Sequence, residues 1–322
     1  MTGQQMDPTT AWDGGERISV VIPCRNEATT VAKVIREFRQ HLPGADIVVL
    51  DNGSTDGTPF EAERAGARVL HVSARGKGNV VRRAFADVEA DVYLLVDGDD
   101  TYSAQWAPYL IGCLLQQRLD MVVAARACEA DGVYRPGHRL GNQLLTGCVA
   151  WLFGHTFKDM LSGYRVFSRR YVRSFPAHAS GFEVETEFNV HALQLRMPVT
   201  EVLAPYGARP PGSFSKLNTY RDGIRILRTI AGLVQSERPL LCFGFAGGAL
   251  MLAAMTLASP LLPAYLATGL VPRLPTALLS VALALTAVVS VACGLILNMV
   301  TRGRMEAKHL AYLSISPHRA SS

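Results

Sequence analysis

The chain has 322 residues, enough for one sizeable domain with further segments. Hydrophobic residues make up 49% and charged residues only 18%, an apolar balance for a soluble domain, with the excess lying after Pro239. A net charge of +5, its basic residues gathered beside apolar segments, argues against a nucleic-acid-binding protein, and the six cysteines (Cys24, Cys113, Cys128, Cys148, Cys242, Cys293) show neither Cys-x-x-Cys pairing nor a His partner at metal spacing.

Residues 1–16 contain no apolar run and read as a mobile leader, not a secretory signal. From Ile18 onward, β-branched runs alternate with helical patterns. Strands are predicted over Ile18–Pro23, Asp46–Asp51, Ala67–Val72, Asp91–Val96 and Met121–Ala125, with a later one over Pro198–Leu203. Helices are predicted over Thr29–Gln40, Thr58–Ala65, Asn79–Val88 and Ala104–Gln117. This βαβα order implies an α/β domain with a mostly parallel sheet covered on both faces. Ligands of such sheets sit at the carboxyl ends of the strands. Four polar, Gly-rich turns fall there: PCRNE (Pro23–Glu27), DNGSTDGT (Asp51–Thr58), GKGN (Gly76–Asn79, with Lys77) and DGDD (Asp97–Asp100). Together they point to one site.

The last of these turns carries the most chemistry. Asp97 and Asp99 flank Gly98 at the end of a buried strand and can converge on one hard cation, which prefers oxygen ligands and commonly also holds substrate phosphates. A solvated turn would have the same composition. DNGSTDGT also reads as a turn with helix-capping residues, so Asp51 has both a structural and a binding reading. GKGN is not a dinucleotide fingerprint, since it lacks the third glycine and follows the third strand. His155, His178 and His191 are isolated and read as structural.

Leu240–Leu262 and Thr276–Val300 carry no charge and are long enough to span a bilayer. Arg221, Arg225, Arg228 and Arg238 precede the first; Arg302, Arg304 and Lys308 follow the second, and only Arg273 lies between. The bias places the N-terminal domain and both termini in the cytoplasm, in a multi-pass inner-membrane protein. Gly244, Gly247 and Gly248 allow close helix contact within a protomer or in a homo-oligomer. Between domain and spans, residues 217–238 place Ile224, Leu227, Ile230, Leu233 and Val234 at helical spacing among arginines, the pattern of a helix lying on membrane lipids. The expected organisation is therefore a leader (1–16), a cytoplasmic domain (17–216), a surface helix (217–238), a two-helix anchor (239–300) and a cytoplasmic tail (301–322).

VVIPCRNE, VVLDNGSTDGT, LLVDGDDTY, LSGYRVFSRR, GSFSKLNTYRDG and the two terminal spans, in this order, resemble family 2 glycosyltransferases of the GT-A fold, in particular the polyprenyl-phosphate glycosyltransferases that include dolichyl-phosphate mannose synthase. The resemblance implies that Pro23 and Glu27 line a nucleotide pocket and that Asp51 meets the base. It implies that Asp97 and Asp99, with Gly98 between them, hold Mg²⁺ or Mn²⁺ against the donor diphosphate, with Lys77 among the donor-side residues. Arg139, Ser162 and Arg165 would contact phosphate near the reaction centre; Arg209 and Lys216 would close over the site and hold the acceptor phosphate. The implied reaction passes a sugar with inversion from a nucleotide-sugar, UDP-linked by default, to a polyprenyl phosphate. Two departures from the pattern stand out: Thr101 where a third metal ligand is common, and Asn52 where a second Asp is common. Arg165 could instead pair with Glu183 or Glu185, and Arg209 and Lys216 could serve the membrane surface. A glycerolipid or polysaccharide acceptor, or a non-catalytic nucleotide-sugar-binding scaffold, are the competing readings.

Overall fold

The structure, a computed structural model, describes residues 15–127, 136–154, 157–181, 183–207, 219–271 and 273–316. Most of the predicted leader, and the Arg209–Lys216 loop, lie outside these residues. The chain forms two units, one of residues up to Ile226 together with those from Lys308 onward, the other Leu227–Ala307.

The first unit is built on a seven-stranded sheet. Its strands are β1 (Ile18–Cys24), β2 (Asp46–Asp51), β3 (Arg68–His71), β4 (Val92–Leu95), β5 (Met121–Ala127), β6 (Arg165–Ser168) and β7 (Val199–Pro205), in spatial order β3-β2-β1-β4-β6-β5-β7. β1, β2, β3 and β4 pair in parallel, as do β5 and β7, whereas β6 runs antiparallel between β4 and β5. Every residue of β4 and nearly all of β1 and β2 are buried. Strands covered on both faces need this unbroken apolar sequence. The crossovers are α1 (Val31–His41), α2 (Thr58–Arg64), α3 (Lys77–Asp87) and α4 (Ala107–Gln116). On α1 the buried residues are Val31, Val34, Ile35 and Phe38, an i, i+3, i+4, i+7 stripe. Burying Phe38 completely contributes roughly 2–3 kcal/mol. The other face of the sheet carries an aromatic cluster in which Phe85 meets Tyr93, Phe167, Phe175 and Phe188.

The six predicted strands and four predicted helices are all present, with ends moved by up to two residues, except that α4 begins at Ala107, three residues late, after a 3-10 turn over Ala104–Trp106. One shift matters for the site: α3 begins at Lys77, not Asn79, so Lys77 opens the helix. β6 and three helices, α5 (Pro136–Phe153), α6 (Arg169–Ser174) and α7 (Val184–Gln194), were not predicted. β6 is four residues bounded by arginine on one side and glycine close by on the other, too short for a period to show.

The second unit holds α9 (Pro239–Ala258), α10 (Leu261–Thr268) and most of α11 (Leu274–Leu313), preceded by α8 (Thr219–Glu237). Pro239–Thr268 and Leu274–Leu313 are long and apolar enough to cross a membrane. α9 and α11 approach closely at two glycines. A methyl on Gly247 would lie 2.9 Å from Ala287 O, and one on Gly294 would lie 2.9 Å from Phe243 Cβ. Gly244 and Gly248 have no such neighbour within 4 Å. The helix does not stop where the apolar run ends. Met305, Glu306, Ala307, Lys308 and Leu310 are good helix formers, and α11 continues through the expected tail to Leu313. Its last residues belong to the first unit: Tyr312 donates to Asp120 Oδ2 (2.7 Å), beneath the Arg170 guanidinium.

Candidate active site

The carboxyl ends of β1, β2 and β4 converge, and two differently built walls result. On one side the loops after β1 and β2 are stitched mainly by neutral hydrogen bonds, with one carboxylate, Asp56, among them. Asn26 N donates to Ser54 Oγ (2.9 Å), Thr55 N to Asn26 Oδ1 (2.8 Å) and Glu27 N to Thr58 Oγ1 (2.8 Å). Asp56 accepts from Ala28 N and Thr58 N, so it ties loop to loop and does not cap α2 from the N-cap position. Asp51 is buried at the end of β2, level with Cys24 of β1; its carboxylate accepts from Ser54 N (3.2 Å) and lies 3.3 Å from His71 Nδ1. Pro23 and Glu27 border the same cleft, half-buried. Burial, followed by the nearby Glu27, pushes the Cys24 thiol well above its ordinary range.

Asn52 explains its own departure from the family pattern. Its buried amide donates to Val72 O (3.1 Å) and Ala74 O (2.8 Å), while its oxygen accepts from Gly76 N (2.7 Å). An aspartate there could not donate to either carbonyl. Gly76, at φ +119°, leads into α3 where Ser180 crosses: a methyl on Gly76 would lie 2.1 Å from Ser180 O, and one on Gly78 2.1 Å from Ala179 O. Gly78 N donates to the Ser180 and Gly181 carbonyls. The glycines of GKGN thus serve the passage of this loop.

The opposite wall is charged. Lys77 Nζ sits 2.5 Å from Asp97 Oδ1 and 2.8 Å from Glu185 Oε1 of α7, with the Lys77 and Glu185 side chains only 7% and 9% exposed. Burial alone would lower the lysine's pKa, but the two carboxylates more than offset it and the net shift is upward. Burial raises Glu185, with Lys77 opposing. Gly163 leaves room for the cluster, since a methyl there would lie 2.2 Å from Asp97 Oδ2 and 3.1 Å from Lys77 Nζ. Asp99 is buried. Thr101 Oγ1 donates to its Oδ1 (2.6 Å), so Thr101 orients Asp99 from the position where a third ligand was looked for. Gly98 is closely packed: a methyl would lie 2.5 Å from Cys24 Sγ and 2.6 Å from Glu27 Oε2. Its carbonyl accepts from Thr30 Oγ1 (2.7 Å), which ties the turn to α1.

Two expectations need correction. Arg165 is completely buried, and its guanidinium donates to Ser162 O (2.9 Å), Met160 O (2.8 Å) and Asn189 Oδ1 (2.8 Å). It hydrogen-bonds neither Glu183 nor Glu185; its bonds brace the 160–162 turn against Asn189. Ser162 is likewise enclosed, donating to Ala124 O (2.6 Å) and accepting from Tyr164 N. The reason is β6, which draws this whole segment into the sheet. Arg139 falls in α5, but its side chain, like Arg209 and Lys216, lies outside the described residues. From the sequence Glu185 enters only as an alternative partner for Arg165, not as a member of the Lys77–Asp97 cluster. Its signal was three glutamates at alternate positions (Glu183, Glu185, Glu187), which cannot share one helical face, so that one must turn inward.

Asp97 and Asp99 suit a divalent cation: both are hard oxygen donors on one turn. Among the described residues no group of three or more His, Cys, Asp or Glu could hold a metal. A cation here would therefore take its remaining oxygens from a ligand or water, as Mg²⁺ characteristically does beside phosphates.

A model for glycosyl transferase family 2 matches residues 19–174. Glycosyltransferase AglJ of Haloferax volcanii is 36% identical over 238 residues, 72% of this chain and 77% of that protein. A dolichyl-phosphate hexose transferase of the same organism is 25% identical over 221 residues, 69% of this chain and 95% of that one. The crystal structure of glucosyl-3-phosphoglycerate synthase from Mycobacterium tuberculosis, in complex with Mn²⁺, UDP and glucosyl-3-phosphoglycerate, superposes with a TM-score of 0.56 at 28% identity, covering 68% of this chain and 81% of that one. Fold, site and relatives define a GT-A glycosyltransferase domain. The chain belongs to glycosyl transferase family 2.

Proposed function

We propose that this protein transfers a sugar from a nucleotide-sugar, UDP-linked by default, to a polyprenyl phosphate such as undecaprenyl phosphate, at the cytoplasmic face of the membrane. The carrying observation is the Asp97-Gly98-Asp99 turn at the carboxyl ends of the strands, where the loop after β1 packs directly against it. The Mn²⁺ and UDP of the mycobacterial neighbour and the name of the dolichyl-phosphate relative support the donor and acceptor classes. The two apolar helices support membrane attachment, with residues 217–238 on its surface, 239–300 as anchor and both termini cytoplasmic.

In this reading Pro23, Glu27 and Asp51 take the nucleoside. Asp97 and Asp99 hold Mg²⁺ or Mn²⁺, which when bound would stabilise charge on the departing diphosphate. A phosphate oxygen of the acceptor attacks the anomeric carbon, the bond to the diphosphate breaks, and the nucleoside diphosphate leaves with the electron pair. The acceptor is already ionised at neutral pH and needs no strong base. Cations must bring two anions together, the role proposed for Arg139, Arg209 and Lys216. Direct displacement inverts the anomeric centre.

The test is incubation of the purified full chain with Mn²⁺ or Mg²⁺, undecaprenyl phosphate and a panel of nucleotide-sugars. Release of nucleoside diphosphate should accompany a lipid-linked sugar of the expected mass, β-linked from an α-linked donor. A folded protein that releases none across the panel would overturn the proposal. A sugar found on a glycerolipid or polysaccharide would move the acceptor.

A further inference from the structure

The charged wall holds a lysine where a metal is wanted. Lys77 Nζ lies 2.5 Å from Asp97 Oδ1, and the same ammonium reaches Glu185 Oε1 at 2.8 Å. The lysine is almost fully enclosed, and the cluster relies on the absence of a side chain at Gly163. We infer that Lys77 is a resident counter-cation of Asp97, which makes divalent-metal binding conditional on the donor's diphosphate. This rests on the reading of Asp97 and Asp99 as the metal-holding pair.

With no donor present, a divalent ion approaching Asp97 meets an ammonium already hydrogen-bonded to it. The ion must either take Asp97 Oδ2 beside that ammonium, against like-charge repulsion, or draw Asp97 away from Lys77, which leaves a buried ammonium with one anion in place of two. Losing a partner to a buried charge is costly. A diphosphate arriving with the ion changes this balance: it brings anionic oxygens that Lys77 can take in exchange for Asp97. The cluster then exchanges partners without leaving a charge unpaired. Glu185 keeps the ammonium anchored at 2.8 Å from the far side throughout. Thr101 already orients Asp99 through its 2.6 Å bond, so Asp97 is the movable half of the pair. Metal and diphosphate therefore bind with positive coupling, and by reciprocity each raises the affinity for the other by the same factor. Lys77 sets the size of that factor.

This makes Lys77 a positioning residue whose removal has a counter-intuitive effect. Losing a positive charge beside a proposed donor site should strengthen binding of the metal alone. The experiment measures Mn²⁺ affinity by electron paramagnetic resonance on the detergent-solubilised full chain, with and without UDP, and with GDP in a parallel arm. In the wild type the nucleotide should tighten Mn²⁺ binding by roughly 5–150-fold. In Lys77→Met, Mn²⁺ alone should bind more tightly than in the wild type, and the tightening by nucleotide should shrink toward one. Glu185→Gln should do the reverse: Asp97 becomes the ammonium's one remaining carboxylate, and Mn²⁺ alone should bind more weakly than in the wild type. A merely structural disturbance would weaken both variants, so opposite signs support the inference. Unchanged or weaker Mn²⁺ binding in a folded Lys77→Met protein overturns it. Should that variant fail to fold, Glu185→Gln decides, and unchanged or tighter Mn²⁺ binding there overturns the inference. Absence of Mn²⁺ binding by the wild type even with both nucleotides would sink the metal-site reading itself, and this inference with it.

Discussion

The two walls of the site solve the same problem by different chemistry. The β1–β2 wall is held mainly by neutral donors and acceptors, with the Asp51 and Asp56 carboxylates fixed on backbone N–H groups: Asn26 with Ser54 and Thr55, Glu27 N with Thr58, and Asn52 with three backbone groups. The β4–α7 wall is a cluster of charges, with Lys77 between Asp97 and Glu185. Neutral bonds to fixed backbone groups hold one geometry. An ion cluster tolerates a change of partner, provided that no charge is left buried alone. The first wall suits a ligand part that is recognised by shape and hydrogen bonds, and the second suits one whose charge changes during reaction. Arg165 lies behind both as a buried brace that bonds only to protein.

The sharpest way to break the comparison is at the charged wall. Asp99→Asn should lower nucleoside diphosphate release on the order of 10³-fold, about 4 kcal/mol of transition-state stabilisation, with little change in thermal stability. Retained turnover would remove the metal assignment. Next comes the brace. Arg165→Met leaves Ser162 O, Met160 O and Asn189 Oδ1 short of a donor, and should destabilise the catalytic unit by about 3 kcal/mol in denaturant titration. If stability held while activity fell, Arg165 would belong with the reacting groups after all.

The neutral wall should respond more gently. Asn52→Asp is isosteric but replaces two donated bonds with repulsion, and should cost about 2 kcal/mol of unfolding free energy. An unchanged denaturation midpoint would show that the loop after β3 does not depend on that amide. The smallest effect near neutral pH concerns α7, the helix that carries Glu185. His191 is buried against Tyr171, Phe175 and Ser174, and burial, aided by Lys308, lowers its pKa to about 3. The unfolded chain therefore binds a proton that the folded chain refuses between about 6.5 and 3. The contribution of His191 is full above pH 6.5 and declines as pH falls, by up to about 1.4 kcal/mol per unit. Replacing it with Leu should flatten that part of the stability profile; an unaltered slope would place the acid sensitivity elsewhere.

Much of this was legible in one dimension. β1, β2 and β4 announce themselves because strands buried on both faces must be continuously apolar, and the polar turns that follow them mark where a ligand can sit. Asp97, Asp99, Glu27 and Asp51 could be picked out on that basis. The two apolar segments were evident from length and the absence of charge. Other features were hidden. β6 is four residues whose only reason to be a strand is that β4 and β5 both need a partner. The family resemblance implied a phosphate contact for Arg165, and only the sheet reveals that its guanidinium is sealed in.

Local physics, then, was enough to determine where six of the seven strands run, which turns carry acid, and which helices are long and apolar enough to cross a membrane. Tertiary structure alone decided which acid meets which base. Lys77 and Glu185 are 108 residues apart in sequence, and nothing short of α7 docking beside α3 and β4 could bring them to 2.8 Å. Periodicity reports the side of an element that is buried, but partnership between charges depends on how elements pack, and that is written in no single stretch of chain.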